Sequence, residues 1–564
     1  MAAAELNRKH FDQRLKQLKA ERTTWDTVWK EQRDYFAPDL GVFEGDDKND
    51  GKRRDHYIIN GIAQQAVETF GAGMHSGLSS PGREWYKLVL PNVELNQAHS
   101  IREWIDDVQQ RMMRVFQLSN VYPSLHALYI ELGVFGTCAM LVEEHPQNII
   151  HCTPFTIGEY YLGRGRYGRI DTFYREFEKS AIELVQEYGA DHVSRQVLDA
   201  YKQDRTEQRF PCVHLIEPND DRIQGLRDAK NKAFRSVTYE VKSAEKEKYL
   251  RVSGYDSFPI MYARWFVKGS DTYGTRNPGR IATGDNKQLQ IMEEDVLKAL
   301  DKAINPPIVA PESVLKTGGV NALPGGVTPY NEGGSGNPPV RALYEVRPDV
   351  QSVEYKIERI ENRINEAFKV NLFQAMSYMP DKTKTATEIL EIKEEKLMNI
   401  GPVIGNLQPE LHKPLIDRTY EIMMRFGLIP PLPEDAPEYI QGMELDVEYT
   451  SILALAQKAA ETNRIRSTVE LAMETVQVFP EIRHKINMPK ALDKYNELIS
   501  GPADILRSDD EYEQLVQQER EQMMQQEAMA TAVQGAKSAK DLAGASVEGD
   551  NALTQVVNSL GGAQ

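Results

Sequence analysis

Two lysines are the residues of this chain best placed to contact a polyanion. Lys382 and Lys384 follow Tyr378 and Met379 in a short segment between two helical patterns. A lysine ammonium is a compact point charge, so it can contact phosphate oxygens without reading bases. On an ordinary loop such lysines only increase solubility, whereas on a loop that projects into a pore they would form a ring of charge. We therefore interpret these four residues as candidates for proximity to DNA.

A second basic group lies on the helical pattern just before that segment. Lys356, Arg359 and Arg363 are spaced by three and four residues, which places them on one face of a helix. Such a stripe can face DNA, or it can pair with Glu residues of a neighbouring helix. We favour the pairing interpretation.

A glycine-rich segment formally matches a dinucleotide-binding pattern. Residues 163–168 read GRGRYG, which fits GxGxxG, but that site requires a helix directly after the glycines to hold the pyrophosphate. A strand pattern follows here, so we predict a β-hairpin turn with exposed arginines. The pattern GxxxxGK[ST] is absent from the sequence, and a Walker-type ATPase is therefore not supported.

A nuclease-like pattern also fails on geometry. Pro380 and Asp381, with Glu391 and Lys393, resemble the PD…(D/E)xK arrangement in which two acids hold a metal beside a lysine. Glu391 and Lys393 fall inside a predicted helix, where two residues of about 100° each place them on opposite faces. We interpret them as solvated helix positions.

No metal or cofactor site is predicted. The acidic segment 46–51 resembles a calcium loop, but Lys48 occupies its third position and Tyr57 its twelfth. The three cysteines form no CxxC pair, which argues against a zinc site or a disulfide framework. We expect no catalytic residue, no cofactor and no metal.

The elements that must position the lysines form a hairpin of helices. A first helix is predicted from 288 to 304, before Pro306 and Pro307. Its apolar positions are Leu289, Met292, Val296, Leu300 and Ile304. Residues 305–339 contain seven Pro, seven Gly and only three charged residues, so no helix is expected there, and a loop this long is usually functional. A second stripe begins at Val353 and can pack antiparallel on the first.

A loop and a long third helix follow the hairpin. The loop is predicted over 371–384, and residues 385–388 then have the form of a capping box that begins a helix. Pro402, Pro409 and Pro414 predict kinks in that helix, because each removes an intrahelical hydrogen bond. A helical hairpin with an elaborate tip suits the lining of a passage better than the housing of a reaction.

The rest of the chain predicts an α+β body and helical ends. The first 283 residues mix both patterns. Helices are predicted over 5–36, 58–74 and 180–205, and strands over 85–90, 137–143, 169–174, 213–216, 236–241 and 260–267. A short strand at 445–449 precedes helices over 453–478, 489–499 and from 509, and a Gly/Ala/Ser tail beyond 535 has the composition of a mobile segment.

Charge and hydropathy limit the classes of partner. The 564-residue chain carries 84 acidic and 67 basic residues, a net charge of −17, which argues against a protein that grips nucleic acid over its whole surface. An acidic wall would instead leave a duplex free to slide. No apolar run approaches the roughly 18 to 20 residues needed to cross a bilayer, so we expect an intracellular, soluble product without membrane contact.

Taken together, these patterns resemble the portal proteins, or head-to-tail connectors, of short-tailed bacteriophages. The residues that carry the resemblance are Gly77-Leu78-Ser79-Ser80-Pro81 leading to Trp85, Glu131 to Thr137, Asn305-Pro306-Pro307, Lys384 to Ile389, and Ile505-Leu506-Arg507-Ser508 before a Gln-rich helix. The likeness spans most of the chain.

The resemblance implies a predominantly helical α+β fold with portal-type architecture, assembled as a ring of usually twelve subunits. Its implied parts are a wing (1–283), a first stem helix (284–304), a clip (305–346), a second stem helix (347–370), a tunnel loop (371–385), a long kinked wing helix with a return strand (386–452), a crown (453–510), and a C-terminal helix or barrel with a mobile tail (511–564). Twelve copies would carry 12 × −17 = −204 formal charges.

The same resemblance implies the partners and the location. Double-stranded DNA would be packaged and ejected through the ring, which would sit at one capsid vertex of the virion after assembly in the host cytoplasm. The clip would dock the terminase motor and later the tail adaptor or nozzle proteins, and the ring would also meet the major capsid and scaffolding proteins. The clip residues we expect at that docking surface are Pro307, Glu312, Lys316, Tyr330 and Glu332.

Two alternatives stay open at this point. One is a DNA-processing enzyme, a nuclease or an ATPase, and hydrolysis of ATP or DNA by the purified chain would support it. The other is a capsid-internal scaffolding protein, which differs from a portal in that it does not close into a ring with a hole.

Overall fold

The fold is described from a computed structural model. The described residues are 7–43, 54–91, 99–223, 225–226, 228–245, 248–304, 308–309, 341–342, 349–377, 401–433, 445–450, 465–475, 487–498, 514–526 and five single positions between 479 and 531. The chain divides into two compact units, residues 1–460 and 461–564. No helix among the described residues is both long and apolar enough to cross a membrane.

The first unit combines helices with antiparallel sheets. Its helices are α1 (Arg8–Phe36), α2 (Ile62–Leu78), α3 (His99–Leu118), α4 (Val121–Phe135), α5 (Ala181–Tyr188), α6 (Arg195–Lys202), α7 (Pro278–Ile304), α8 (Val350–Ala367), α9 (Val370–Ser377), α10 (Gly401–Leu407) and α11 (Lys413–Arg425). Its strands are β1 (Tyr86–Val89), β2 (Thr137–His145), β3 (Ile149–Phe155), β4 (Tyr160–Arg164), β5 (Ile170–Ser180), β6 (Arg209–Pro218), β7 (Phe234–Glu240), β8 (Arg251–Tyr255), β9 (Ile260–Arg264), β10 (Ile308–Val309), β11 (Arg341–Ala342) and β12 (Asp446–Tyr449).

The strands form two sheets and two strand pairs. A three-stranded sheet has the order β3-β2-β9, and a five-stranded meander has the order β4-β5-β6-β7-β8. All neighbours are antiparallel. The pair β1-β12 ties the end of the described long-helix region back to the N-terminal body. In the second unit, residues 465–475, α12 (Met488–Leu498) and 514–526 are helical.

Helix α4 and strand β2 form the centre of the core. Leu125, Leu128 and Leu132 of α4 are fully buried, and β2 is buried along its first six residues. Gly136 ends the helix with a φ of 76°, a left-handed conformation that glycine adopts without steric cost. The chain therefore turns directly from the helix into the central strand.

Helix α1 joins two parts of the body. Phe11 near its beginning packs on the five-stranded sheet, while Trp29 and Phe36 near its end enter the main core. Between them, the guanidinium of Arg22 lies 3.9 Å from the ring centroid of Tyr161. Such a cation–π contact stabilises the packing of α1 on the body by about 1 kcal/mol.

The hairpin consists of α7, the strand pair β10-β11, and α8. Helices α7 and α8 pack against each other, and the two short strands pair antiparallel, Ile308 opposite Ala342. Asp349 caps α8 by accepting from the backbone N–H of Ser352. Lys369 then adopts a φ of 56°, an uncommon conformation for a non-glycine residue, and it separates α8 from α9.

The long helix is interrupted by a π-helical turn. Residues Gln408–His412 are π-helical and lie between α10 and α11. Pro409 lies within this irregular stretch and Pro414 lies two residues after it, in line with the kinks that the prolines predict. The beginning of the predicted long helix, 385–400, lies outside the described residues.

Several predicted elements are confirmed and several boundaries are wrong. The first 283 residues do form a mixed α+β body, and all three cysteines are buried and free. The predicted helix over 180–205 is two helices, because a capping box at Ser180 begins α5 and a second cap at Ser194 begins α6. Helix α7 begins at Pro278, ten residues before the predicted start at 288, because its first turns pack by small residues that carry no apolar stripe.

Two further differences concern helices that the pattern did not identify. Helices α3 and α4 fill the interval between two predicted strands, and α4 is apolar on almost every face, so helical periodicity is weak in its sequence. The predicted loop 371–384 begins as helix α9, since residues 370–377 are helical. The remainder of that loop lies outside the described residues.

Candidate functional site at the helical hairpin

A buried amide holds the part of the hairpin formed by residues 285–293 of α7 and 361–363 of α8, which we call the hairpin root. Gln290 of α7 is 5% exposed, and its Oε1 accepts from the backbone N–H groups of Ile59 at 2.7 Å and Asn60 at 2.9 Å. Its Nε2 donates to the backbone oxygen of Asn60 at 2.9 Å and to Oδ1 of Asn286 at 2.8 Å. Both acceptor and both donor positions of the amide are thus used. The direction of α7 is therefore fixed against the segment before α2.

Asn60 in turn bridges the two helices of the hairpin. Its Nδ2 donates to Oε1 of Glu293 on α7 at 2.8 Å and to Oε1 of Glu361 on α8 at 2.9 Å. At the next level, Arg363 of α8 forms an ion pair with Asp285 of α7 at 2.7 Å. These contacts join α7 and α8 at two levels, so the root of the hairpin is a single braced unit.

One residue of the basic stripe, Arg363, is ion-paired, and the other two are exposed. Arg363 has the interhelical acidic partner that the pairing interpretation expects, although the partner is an aspartate. Lys356 and Arg359 are exposed on α8, and within the described part of the chain neither has an ion-pair partner. Their proximity to DNA stays a prediction.

The outer half of the hairpin leaves apolar side chains in solvent. Of the predicted apolar stripe on α7, Leu289 is fully buried, but Ile304 is 75% exposed. Leu297 and Leu300, which share a helix face with Ile304 at three- and four-residue spacing, are 56% and 37% exposed, and Tyr355 on α8 is 62% exposed. A single copy of the chain therefore buries the root of its hairpin and not the outer part.

Helix α9 packs closely against α2. A Cβ atom at Gly73 would lie 2.1 Å from Cγ of Phe373, and Phe373 is itself buried. Only glycine allows the aromatic ring to come this near to the helix backbone. The segment that carries Lys382 and Lys384 continues from the end of α9, so this packing determines where that segment starts.

The predicted DNA-near and docking residues themselves lie outside the described residues. They are Tyr378, Met379, Lys382 and Lys384 in the loop, and Pro307, Glu312, Lys316, Tyr330 and Glu332 in the clip. The structure brings to the hairpin only Lys356, Arg359 and Arg363 from the predicted set. The roles of the loop and clip residues stay predictions.

Side chains of the π-helical turn form hydrogen bonds with charged and aromatic residues of the body. Glu410 accepts from the backbone N–H of Arg264 at 3.1 Å through Oε2 and from its Nε at 3.0 Å through Oε1. His412 is hydrogen-bonded through Nε2 to the hydroxyl of Tyr129 at 2.9 Å. Burial lowers the pKa of His412 to about 4, so the ring is neutral at pH 7. The kink is consequently a fixed joint with specific partners.

The described residues do not assemble a reaction site. A cavity of about 280 Å³ between β2, β8 and α11 is lined mainly by charged groups, and these groups pair with one another. Arg425 contacts Glu144 at 2.6 Å, and Lys232 contacts Asp256 at 2.9 Å. Within the described ranges no group of three His, Cys, Asp or Glu residues is placed to hold a metal.

The glycine-rich segment is the predicted hairpin turn. It connects β4 to β5, which pair antiparallel, and Gly165 donates its N–H to the backbone oxygen of Arg169 at 2.9 Å. A strand follows the glycines, so no helix end is available for a pyrophosphate. The calcium-like segment and the nuclease-like pattern lie outside the described residues.

Sequence reasoning missed the brace at the hairpin root. Asn286 and Gln290 are spaced by four residues and lie on the buried side of α7, and polar residues at buried positions require hydrogen-bond partners. That requirement was the available signal. Nothing in the local sequence identifies Asn60 as the partner, because the contact joins residues 230 positions apart in the chain.

Comparisons with known proteins agree on one family. A family model described as bacteriophage head to tail connecting protein matches residues 8–506. The portal protein of Salmonella phage epsilon15 is 35% identical over 561 residues and is covered completely, as is this chain. A protein named as a probable portal protein of Bordetella phage BPP-1 is 32% identical over 560 residues, covering 99% of this chain and 100% of that protein.

Two solved structures are similar at low identity. The neck of an empty gene transfer agent particle, computed with C6 symmetry, has a TM-score of 0.33 and 12% identity, covering 74% of this chain and 90% of that chain. The virion of a native gene transfer agent particle has a TM-score of 0.34 and 12% identity, covering 79% and 89%. The family model and the full-length relatives show that the chain belongs to the bacteriophage head-to-tail connecting proteins, which are structural connectors and not enzymes.

Proposed function

We propose that this chain is the subunit of a portal ring at one vertex of a phage capsid. Double-stranded DNA is packaged through the opening of the ring and later ejected through it. The observation that carries the proposal is the braced hairpin whose outer half leaves Leu297, Leu300, Ile304 and Tyr355 in solvent. The two full-length relatives that are named as portal proteins support it.

Side-by-side packing of hairpins accounts for those exposed apolar groups. Fully burying a leucine or isoleucine stabilises an assembly by roughly 1.5–3 kcal/mol. The four side chains above are between 37% and 75% exposed, so a neighbouring copy that buried them would gain roughly 3 kcal/mol before ordering costs. A rotation that closes gives a ring, and twelve subunits is the number that the family resemblance implies.

A hydrophobic-to-charged exchange tests the packing. Leu297→Glu introduces a charge into the proposed contact and should reduce ring formation at least tenfold, as measured by mass photometry of the purified chain. Leu226→Glu is the matched control, because Leu226 is 53% exposed on a different surface. Rings that form equally well from both variants would show that the outer hairpin is not an interface.

In the proposed ring, the segment after α9 forms the tunnel loop. Lys382 and Lys384, with Tyr378 and Met379 beside them, lie near the DNA, and the ammonium groups contact phosphates without sequence preference. Lys356 and Arg359 are further candidates on the stem, since they are exposed without an ion-pair partner among the described residues. The net charge of −17 disfavours a tight grip on phosphate over the whole surface of the subunit.

Charge reversal in the loop tests the DNA contact separately from assembly. Lys382→Glu with Lys384→Glu should impair packaging while leaving ring formation unchanged. Packaging is measured as DNA protected from nuclease in an in-vitro packaging reaction. Wild-type levels of protected DNA in the double variant would show that these lysines are merely exposed.

The remaining partners follow from the same proposal. The clip, residues 305–346, docks the terminase and later the tail adaptor or nozzle proteins, while the outer ring meets the major capsid and scaffolding proteins. The protein is located at the portal vertex of the virion after assembly in the host cytoplasm. A capsid-internal scaffolding protein, the remaining alternative, would not close into rings with a central opening.

A further inference from the structure

The turn between β4 and β5 is a compact basic projection that the channel function does not use. We name residues 164–169 the arginine turn; it carries Arg164, Arg166 and Arg169 around Tyr167. Gly165 donates its N–H to the backbone oxygen of Arg169 at 2.9 Å, and Gly168 donates its N–H to the backbone oxygen of Gly165 at 3.2 Å. The turn is therefore closed by its own backbone.

The arginine turn is also anchored to the body. The N–H of Ile170 donates to the hydroxyl of Tyr262 at 3.1 Å, and Nη2 of Arg264 donates to the backbone oxygen of Gly168 at 3.4 Å. Arg264 is itself fixed by its ion pair with Glu410 in the π-helical turn. A projection held in this way loses little conformational entropy when it binds, which favours affinity.

Three side chains of the turn, those of Arg166, Tyr167 and Arg169, face solvent. Tyr167 is 87% exposed, and the guanidinium of Arg166 lies 5.7 Å from its ring centroid. Arg166 and Arg169 are exposed, and neither has an ion-pair partner in the described part of the chain. The carboxylate of Asp171 lies against Gly165 in this turn. Among the described residues, its partners are Thr172 and Arg14 and not the exposed arginines. Tyrosine and arginine are also the residue types that most often dominate binding energy at protein interfaces.

We propose that the arginine turn docks on an acidic surface of the next copy of this chain in the ring. The inference rests on the proposed ring, in which each contact is heterologous and joins one patch of a subunit to a different patch of its neighbour. A net charge of −17 supplies the acidic complement within the same chain. Duplex DNA fits less well, because its bases are stacked on one another and offer no free face to Tyr167.

Photo-crosslinking at the tip identifies the occupant directly. Tyr167 is replaced by p-benzoyl-phenylalanine in the full chain, and assembled rings are irradiated. The expected result is an adduct at twice the 64.0 kDa mass of the chain, with mass spectrometry placing the far end in an acidic segment of another copy. The same replacement at Tyr201, which is 41% exposed on α6, is the matched control and should give at least fivefold less of that adduct.

Charge reversal tests whether the contact contributes to assembly. Arg166→Glu with Arg169→Glu should lower the ring fraction at physiological salt at least tenfold. Arg205→Glu with Arg222→Glu applies the same charge change at other exposed positions and should leave the ring fraction within twofold of wild type. Unchanged melting temperature of both variants establishes that folding is intact.

The outcomes separate this inference from the proposed function. Rings that form normally in the Arg166/Arg169 variant, with adducts at position 167 that are absent or reach only DNA or a different protein, would overturn the docking contact and leave the portal function standing. Wild-type protein that forms no rings would overturn both.

Discussion

Removal of the Gln290 side-chain amide should loosen the hairpin at its root. Gln290→Leu keeps the volume and the buried position on α7 but removes every hydrogen bond that the amide makes. The backbone N–H groups of Ile59 and Asn60, the backbone oxygen of Asn60 and the side-chain oxygen of Asn286 each lose a partner. Because those groups hold the segment before α2 against α7, we expect the loss to be local to the hairpin root.

The magnitude follows from the four hydrogen bonds. A net contribution of about 1 kcal/mol for each would give about 4 kcal/mol. Ile59 and Asn60 lie at a partly exposed edge, where water recovers part of that loss, so the expected cost is about 3 kcal/mol. Since 1.4 kcal/mol is a factor of ten in an equilibrium constant, the opening equilibrium of this root should rise about 100-fold.

Hydrogen exchange measured by mass spectrometry reads this opening directly. Peptides that cover residues 282–293 and 58–62 should exchange about 100-fold faster in Gln290→Leu than in wild type, whereas peptides from β6 should not change. Gln288→Leu is the matched control on the same helix, because Gln288 is exposed and, among the described residues, its side chain donates one hydrogen bond, to the sulfur of Met292 at 3.8 Å. Equal exchange at the hairpin root in the two variants would show that Gln290 does not brace it.

Three further substitutions test other parts of the account. Burial raises the pKa of Glu131 from 4.5 to about 8, so the folded state holds the carboxyl proton more tightly and this contribution to stability is lost as pH rises from 4.5 to about 8. The melting temperature of wild type minus that of Glu131→Gln should therefore fall as pH rises over this range. A constant difference would contradict the burial of the carboxyl. Burial lowers the pKa of His412 to about 4, so lowering the pH from 6.5 to about 4 should destabilise wild type more than His412→Gln. The measurement is again melting temperature against pH, and equal acid sensitivity of the two proteins would contradict the burial of a neutral imidazole. Gly73→Ala forces a methyl group against Phe373 and should cost about 1–3 kcal/mol by overpacking, seen in thermal denaturation; an unchanged melting temperature would show that α2 and α9 are not in close contact.

The hairpin was predictable in outline because its signals are local. The apolar stripe after Gln288 and the prolines at 306 and 307 lie within one stretch of sequence, and helical periodicity needs no knowledge of partners. The start of α7 at Pro278 was not predictable from that stripe, because its first residues include Gly279 and Ala282, which pack by being small.

The contacts that brace the site were hidden because they are distant in sequence. Asn60 meets Glu361 across 301 positions, and no periodicity or motif links two such residues. Helix α4 was missed for a different reason: it is buried on most of its surface, so its sequence lacks the alternation of apolar and polar faces that marks an amphipathic helix. Local patterns identified the elements, whereas the joints between them depend on tertiary packing.

Electron microscopy of the purified chain shows directly whether its copies close into a ring. We expect closed rings, viewed end-on, with a central opening wide enough for duplex DNA and with the braced hairpins arranged around that opening. Particles that remain monomeric, or that associate only as open filaments under all salt and pH conditions, would contradict it.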